Sequence, residues 1–239
     1  METLGKEESE IAESLRLLEA DWDVDPLLKD FVLGRVRDVS DHAITRGGVT
    51  FHIPHLNQAA KYVLWKCLWP DCHNCCERQG RLPLTGDDLI TIGAGLKYTR
   101  TSEFVRNETV TATYEAGGAG GRDGIIMTTI NLKRRDGETE SDDGTRIPCR
   151  FLDESGGCSM HPARPGVCYI YPFTTWTQND GGTAQIHATY QFTGDCPGFY
   201  LADGTDGMYA ELENYSSIIR DYNLASARTG RESLSCTTL

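Results

Sequence analysis

The sequence predicts an α+β fold: a small metal-stapled domain with a β-hairpin or small antiparallel sheet, and flanking helices at both ends. Three observations predict it. Apolar residues recur at helical spacing near both ends of the chain. Several middle segments alternate apolar and polar residues with the period of a strand. Nine cysteines stand among 239 residues, and eight of them lie between positions 67 and 196.

The helical period comes first. Residues 1–10 are polar and read as frayed, and then Ile11, Leu15, Leu18 and Trp22 repeat on one face. Asp25-Pro26 supplies an N-cap and a first-turn proline for a second helix that carries Leu28, Phe31, Val32 and Val36. Gly47-Gly48 reads as a turn, and Val49, Phe51 and Ile53 alternate as a strand. Residues 56–66 are apolar and fit either helix or strand. Thr85 with Asp88 three positions on resembles a capping box, followed by a Leu89, Ile92 and Leu96 stripe. Thr101 or Ser102 starts a short helix holding Phe104 and Val105.

Val110, Ala112 and Tyr114, then Ile125, Met127 and Ile130, predict a hairpin around Gly117–Gly121. A nucleotide loop would follow a strand and open a helix, so this glycine run fits a hairpin connection instead. Gly93 and Gly95 fall within a helix and fail the same test. Residues 136–145 read as an acidic loop, 184–193 as another alternating strand. Met208, Leu212, Tyr215, Ile219 and Tyr222 mark a C-terminal helix, with a loose polar tail over the last dozen residues. The organisation expected is a helical extension (1–55), a cysteine-cluster domain (56–200) and a C-terminal helix with its tail (201–239).

The formal net charge is −12, which disfavours binding to a phosphate backbone. The start of the chain has neither a basic n-region nor an apolar h-region, and no apolar stretch approaches the ~18 residues of a membrane span. The expectation is a cytoplasmic protein that binds neither nucleic acid nor membrane. In a reducing compartment structural disulfides are disfavoured, and an odd cysteine count cannot pair completely. Metal binding becomes the leading explanation.

The first cluster is Cys67, Cys72, Cys75 and Cys76; the second is Cys149, Cys158 and Cys168; Cys196 follows in an Asp-Cys-Pro-Gly run. These eight are the candidate metal ligands, and Cys236 reads as a tail thiol. Thiolates are soft donors that suit zinc and iron–sulfur centres. The C-x4-C-x2-C spacing matches the opening of the plant-type [2Fe–2S] pattern. Adjacent Cys75 and Cys76 diverge and serve one zinc poorly, since structural zinc pairs are separated by two or more residues. They suit two neighbouring metals, or one of them is a spare thiol. With Cys196 included, eight thiols suffice for two four-thiolate centres. His73 and His161 remain open as nitrogen ligands, with a solvated or hydrogen-bonded histidine the plainer reading.

These motifs resemble the CxxCxxCC family, also called the YkgJ-like cysteine-cluster or zinc- or iron-chelating domain. The resemblance is carried by the first cluster, by Cys149-Arg150-Phe151-Leu152, by Gly157-Cys158, by Arg164-Pro165 before Cys168, and by Tyr171-Pro172-Phe173. It covers about residues 60–200. The first gap holds four residues, Leu68 to Asp71, where the family has two, and His161 stands where a tyrosine is more usual. The resemblance implies an iron–sulfur cluster (4Fe–4S or 2Fe–2S), or zinc or iron, and implies no reaction; a redox or group-transfer role is the leading expectation for such a centre. Some members resemble flagellin lysine N-methylases, which makes an S-adenosylmethionine-dependent protein methyltransferase one alternative. A structural zinc module that binds a protein partner is another. No catalytic residue is readable. Arg164 is expected to hydrogen-bond carbonyls or a ligand sulfur, and Tyr169, Tyr171, Phe173 and Trp176 to shield the site.

Overall fold

The computed structural model describes residues 2–77, 82–116, 125–134, 148–180 and 183–236. The fold is α+β, as the sequence predicts. The chain divides into two compact units: Met1–Cys75 with Ile170–Asp221, and Cys76–Tyr169 with Tyr222–Leu239.

The first unit begins with α1 (Glu2–Leu18) and α2 (Pro26–Val32). Leu15 and Leu18 are buried on α1. Asp25 caps α2 by accepting the Leu27 N–H at 2.8 Å, and Pro26 fills the first turn, where its missing N–H costs nothing. Strands β1 (Val39–Arg46) and β2 (Val49–Leu56) form a hairpin. Gly47 and Gly48 form its two-residue turn with φ of 51° and 81°, a conformation that two side chains with Cβ atoms would resist. Val49, Phe51 and Ile53 all point inward and are buried, as their alternation predicts.

The ambiguous 56–66 stretch resolves into a short 3-10 turn and β3 (Lys61–Trp65). With β6 (Phe173–Asp180), β7 (Thr183–Tyr190) and β8 (Phe199–Ala202) these strands make a six-stranded sheet in the order β6-β7-β2-β3-β8, with β1 on β2. The β2–β7 pair is parallel, so this sheet is mixed and larger than the small antiparallel one expected. Its core includes Leu56, Val63 and Leu28, with Phe31, Phe192 and Phe199 packed against them. The C-terminal helix α7 (Tyr209–Cys236) gives its first three turns to this unit, burying Leu212 and Ile219. It continues to Cys236, through most of the stretch expected to be a loose tail.

The second unit holds α4 (Gly86–Gly95), α5 (Thr101–Glu108) and the antiparallel hairpin β4 (Thr109–Ala116) with β5 (Ile125–Leu132). The capping box at Thr85 and Asp88 is present. The N-cap of α5 is Arg100, without a side-chain bond, so Thr101 and Ser102 lie inside the helix. Leu84, Ile92, Phe104, Leu132 and Met160 are the buried core. The glycine run 117–121 and the acidic stretch 136–145 lie outside the described residues. Among the described residues no helix is long and apolar enough to cross a membrane.

Candidate metal centre

A short helix, α3 (Asn74–Glu77), carries both Cys75 and Cys76, and the boundary between the two units falls between them. The eight cysteines therefore divide evenly. Cys67, Cys72, Cys75 and Cys196 belong to the first unit; Cys76, Cys149, Cys158 and Cys168 belong to the second. None of the eight is in a disulfide.

In the second unit the Cys149 N–H donates to Cys76 O at 2.6 Å, fixing the two residues side by side. Cys149 is buried, and its thiol is pushed up, first by burial and then by the charges of Cys76 and Cys158. The backbone N–H groups of Phe151 and Leu152 oppose that rise by donating to its sulfur. The chain then turns through Asp153, whose Oδ1 accepts the Ser155 N–H at 2.9 Å and the Gly157 N–H at 2.8 Å. That turn returns Cys158 to a bridge with Leu152.

Cys168 sits on α6 (Gly166–Ile170), behind a second cap. Asp88 Oδ2 accepts the Thr85 N–H at 2.8 Å at the start of α4, while its Oδ1 accepts the Gly166 N–H at 2.9 Å. One buried carboxylate thus fixes two helix starts. The Cys168 thiol is pushed up by burial, with Cys76, Cys149 and Cys158 adding to the effect and the Arg164 guanidinium opposing it. The guanidinium lies 4.1 Å from the Tyr169 ring centroid, and its buried Nε has no hydrogen-bond partner among the described residues.

In the first unit Leu68 O accepts from the Asp71 N–H at 2.9 Å and the Cys72 N–H at 3.2 Å. The long first gap is absorbed by that single turn. Cys196 is the most elaborately surrounded thiol. Trp65 Nε1–H donates to its sulfur at 3.3 Å, and the Gly198 N–H and Tyr171 O–H also donate to it. Burial pushes the thiol up and these donors oppose the rise. Gly198 must be glycine here, because a Cβ would lie 2.2 Å from Lys66 O. Asp195 is held from two sides: its carboxylate accepts from Thr193 Oγ1–H and its carbonyl from Asn74 Nδ2–H, the latter at 2.8 Å.

In the second unit Cys76, Cys149 and Cys158 all act electrostatically on Cys168, and in the first unit Cys72 acts on Cys196. Among the described residues no group of three or more His, Cys, Asp or Glu side chains stands ready to hold an ion. Protonated thiols gain nothing by converging; the ligand form is the thiolate, and binding a metal displaces the proton. In the second unit the donor chemistry suits a thiolate-bound metal: the buried Cys149 sulfur receives two N–H groups, and Arg164, beside Cys168, has a buried Nε–H without a partner among the described residues. His161 is exposed and His73 half-buried. Of the four aromatic residues expected to shield the site, Tyr169 stacks under Arg164 and Tyr171 reaches Cys196. Phe173 packs in the core against Phe51 and Tyr215, while Trp176 is exposed and stacks on His52 and His187.

Sequence reasoning missed Trp65, Gly198 and Asn74 and read Asp88 only as a cap. The available signal was position: Trp65 ends the apolar run that leads into Cys67, and Gly198 sits two residues past Cys196.

A family model described as "Putative zinc- or iron-chelating domain" matches residues 66–197, more than half of the chain and the whole span from Cys67 to Cys196. The chain belongs to the CxxCxxCC family. Searches of curated proteins and of solved structures find no match. The CxxCxxCC match reaches across both units, so the motif that defines the family is the one that the fold divides.

Proposed function

We propose that this member of the CxxCxxCC family carries an iron–sulfur centre on Cys76, Cys149, Cys158 and Cys168, with a redox or group-transfer role. The observation that supports it is the charge balance of the second unit. Four thiols lie within electrostatic reach, and a four-thiolate centre would be anionic. Arg164 stands beside Cys168 with a buried N–H that has no partner among the described residues. A buried orphan donor is costly, and an anionic sulfur centre is a natural acceptor for it. Phe151 and Leu152 N–H groups on Cys149 are donors of the kind that stabilise ligand thiolates and tune cluster potentials.

Bound there, the group would supply electron transfer or Lewis-acid chemistry. The chain's own part is to hold sulfur in place and to balance charge: Asp88 fixes the start of α6, Asp153 shapes the turn between Cys149 and Cys158, and Arg164 offsets the thiolates.

Anaerobic purification of the full chain tests the proposal. Iron with acid-labile sulfide and a brown chromophore is the expected result. Stoichiometric zinc and no colour would convert the centre to a structural one, and absence of any bound metal would overturn it.

A further inference from the structure

The six-stranded sheet carries a row of ionisable side chains on its outer face, and no cysteine belongs to it. On β2, His52 alternates away from the buried Phe51 and Ile53. Register sets its neighbours. His52 lies across from Ala43 on β1 and from Thr189 on β7, and His187 on β7 lies across from Thr50 on β2 and from Trp176 on β6. Asp41, two residues from Ala43, shares the face with His52.

These side chains tie four strands together. His52 Nδ1 lies 2.5 Å from Asp41 Oδ2, and His52 Nε2 lies 2.9 Å from His187 Nδ1. The two imidazole centroids are 5.2 Å apart, as expected of rings whose nitrogens meet edge to edge. Trp176 stacks on both, with centroids 5.2 Å from His52 and 5.3 Å from His187. The His52–His187 bond crosses the parallel seam by which the β6–β7 hairpin joins β2. That seam spans four residue pairs, against eight in each of the hairpins it connects.

The bonds dictate where the hydrogens sit. Asp41 accepts, so His52 carries its hydrogen on Nδ1. The Nε2 of a neutral His52 is then a lone pair, and His187 supplies the shared hydrogen from its Nδ1. His187 Nε2 is left with a lone pair. One further proton fits there with every bond kept, and the Asp41 carboxylate offsets its charge. A second would place hydrogens on both nitrogens that face each other. The bond would be lost and two like charges would stand across the seam.

We propose that Asp41, His52 and His187 form a proton-operated latch, which holds β7 on β2 while it carries at most one extra proton and loosens the seam when it takes a second. Among the described side chains facing the pair from β1, β2, β6 and β7, Asp41 is the one other titratable group. His42, Arg46 and His55 alternate to the opposite face and pack on Tyr62 or Tyr209. Histidine takes up its proton between about pH 8 and pH 5. The open seam binds one proton more than the closed one, so acid favours opening, by up to about tenfold per pH unit. On the inner face Phe51 packs against Phe173 and Ala188 is buried, so the strands loosen without leaving the core.

Nitrogen NMR of the full chain reads the rings directly. At pH 8 both should be Nδ1–H tautomers, and an Nε2–H tautomer at either ring would overturn the proton assignment. Amide exchange, corrected for the intrinsic effect of pH, reads the seam. Protection at Ile186–Thr189 should fall about tenfold or more between pH 8 and pH 5, while Val63–Trp65 in β3 stay protected. His187→Gln keeps a polar side chain that does not titrate and should lose most of this fall. An equal fall in His187→Gln, or none in the wild type, would overturn the latch. Circular dichroism shows whether His187→Gln is folded, and the wild-type tautomers and pH series decide the matter if it is not.

Discussion

At the scale of single residues, Arg164 is the side chain whose role depends most on what the thiols hold. Its charge opposes the rise of Cys168 and its Nε lacks an acceptor among the described residues. Arg164→Gln removes the cation and keeps a side chain of similar reach. Metal retention against a competing chelator should fall roughly 10–100-fold, the usual scale for groups that support ligands. Arg164→Lys restores charge but not the flat stack on Tyr169 and should recover only part of the loss. Equal retention in all three proteins would remove Arg164 from the site. The sequence marked this residue through the Arg-Pro pair before Cys168, but its neighbour Tyr169 became its platform only in the fold.

Tyr190 makes a residue-scale statement about pH. It is buried among Phe173, Phe192 and Phe199, with its O–H donating to Met208 Sδ at 2.9 Å. Burial pushes its phenol up, and the charge of Tyr200 adds to the shift. Below about pH 10 both folded and unfolded chains hold this proton, and stability does not depend on it. Above that, the unfolded chain gives up the proton and the folded one keeps it. Stability should then fall by about 1.4 kcal/mol per pH unit for this group. Tyr190→Phe should flatten that alkaline limb in urea titrations while costing little at neutral pH. An unchanged slope would show that the phenol reaches solvent.

At the scale of elements, Asp88 joins two helix starts by charge-assisted bonds to Thr85 and Gly166. Asp88→Ala removes a capping box and leaves the Gly166 N–H without its acceptor. The expected cost is about 2–4 kcal/mol, read as a lower urea midpoint. Because α6 carries Cys168, the same variant should also release metal faster. Loss of stability with unchanged metal release would separate the two roles. The capping box was legible because Thr-x-x-Asp is a local pattern; the Gly166 partner, 78 positions further on, has no local signal.

Strands show the same divide. Those with an inward face and regular alternation, such as β2, are readable. Strand β1 buries only Ile44 and leaves even Val39 and Ala43 exposed among its polar residues, so its pattern resembles a loop. Strand β6 is rich in threonine and polar residues, and β8 has four residues, too few to show a period. The parallel β2–β7 contact spans Val49–His52 and Ile186–Thr189, and no hairpin signal announces it.

At the scale of the whole molecule, the family's cysteine motif was legible and the contacts around each cysteine were not. Cysteine spacing along the chain says which sulfurs are close in sequence. It does not say that Asn74 bonds the Asp195 carbonyl or that the Cys149 N–H bonds Cys76 O, because those partners lie more than 70 positions away. The consequence is an uneven dependence on metal. In the first unit Val49, Phe51, Ile53, Leu56, Val63, Leu64 and Trp65 are all nearly inaccessible, so this sheet has a self-sufficient apolar core. The segment from Cys149 to Cys168 is different. Turns and side-chain caps hold it, and Met160 is its main apolar anchor in the core of the second unit. Metal bound there would close a loop that little else closes.

Stripping metal under reducing conditions should therefore raise hydrogen exchange first at Leu152, Asp153, Ser159 and His161, whose N–H groups are all bonded within this segment. Amides of β2 and β3 should keep most of their protection, because local opening costs least where few apolar contacts are lost. Exchange resolved by mass spectrometry reads both regions in one experiment. If the β2 and β3 amides lost protection at the same metal occupancy as the Cys149–Cys168 segment, metal would be holding the sheet as well, and the apolar core would not suffice on its own.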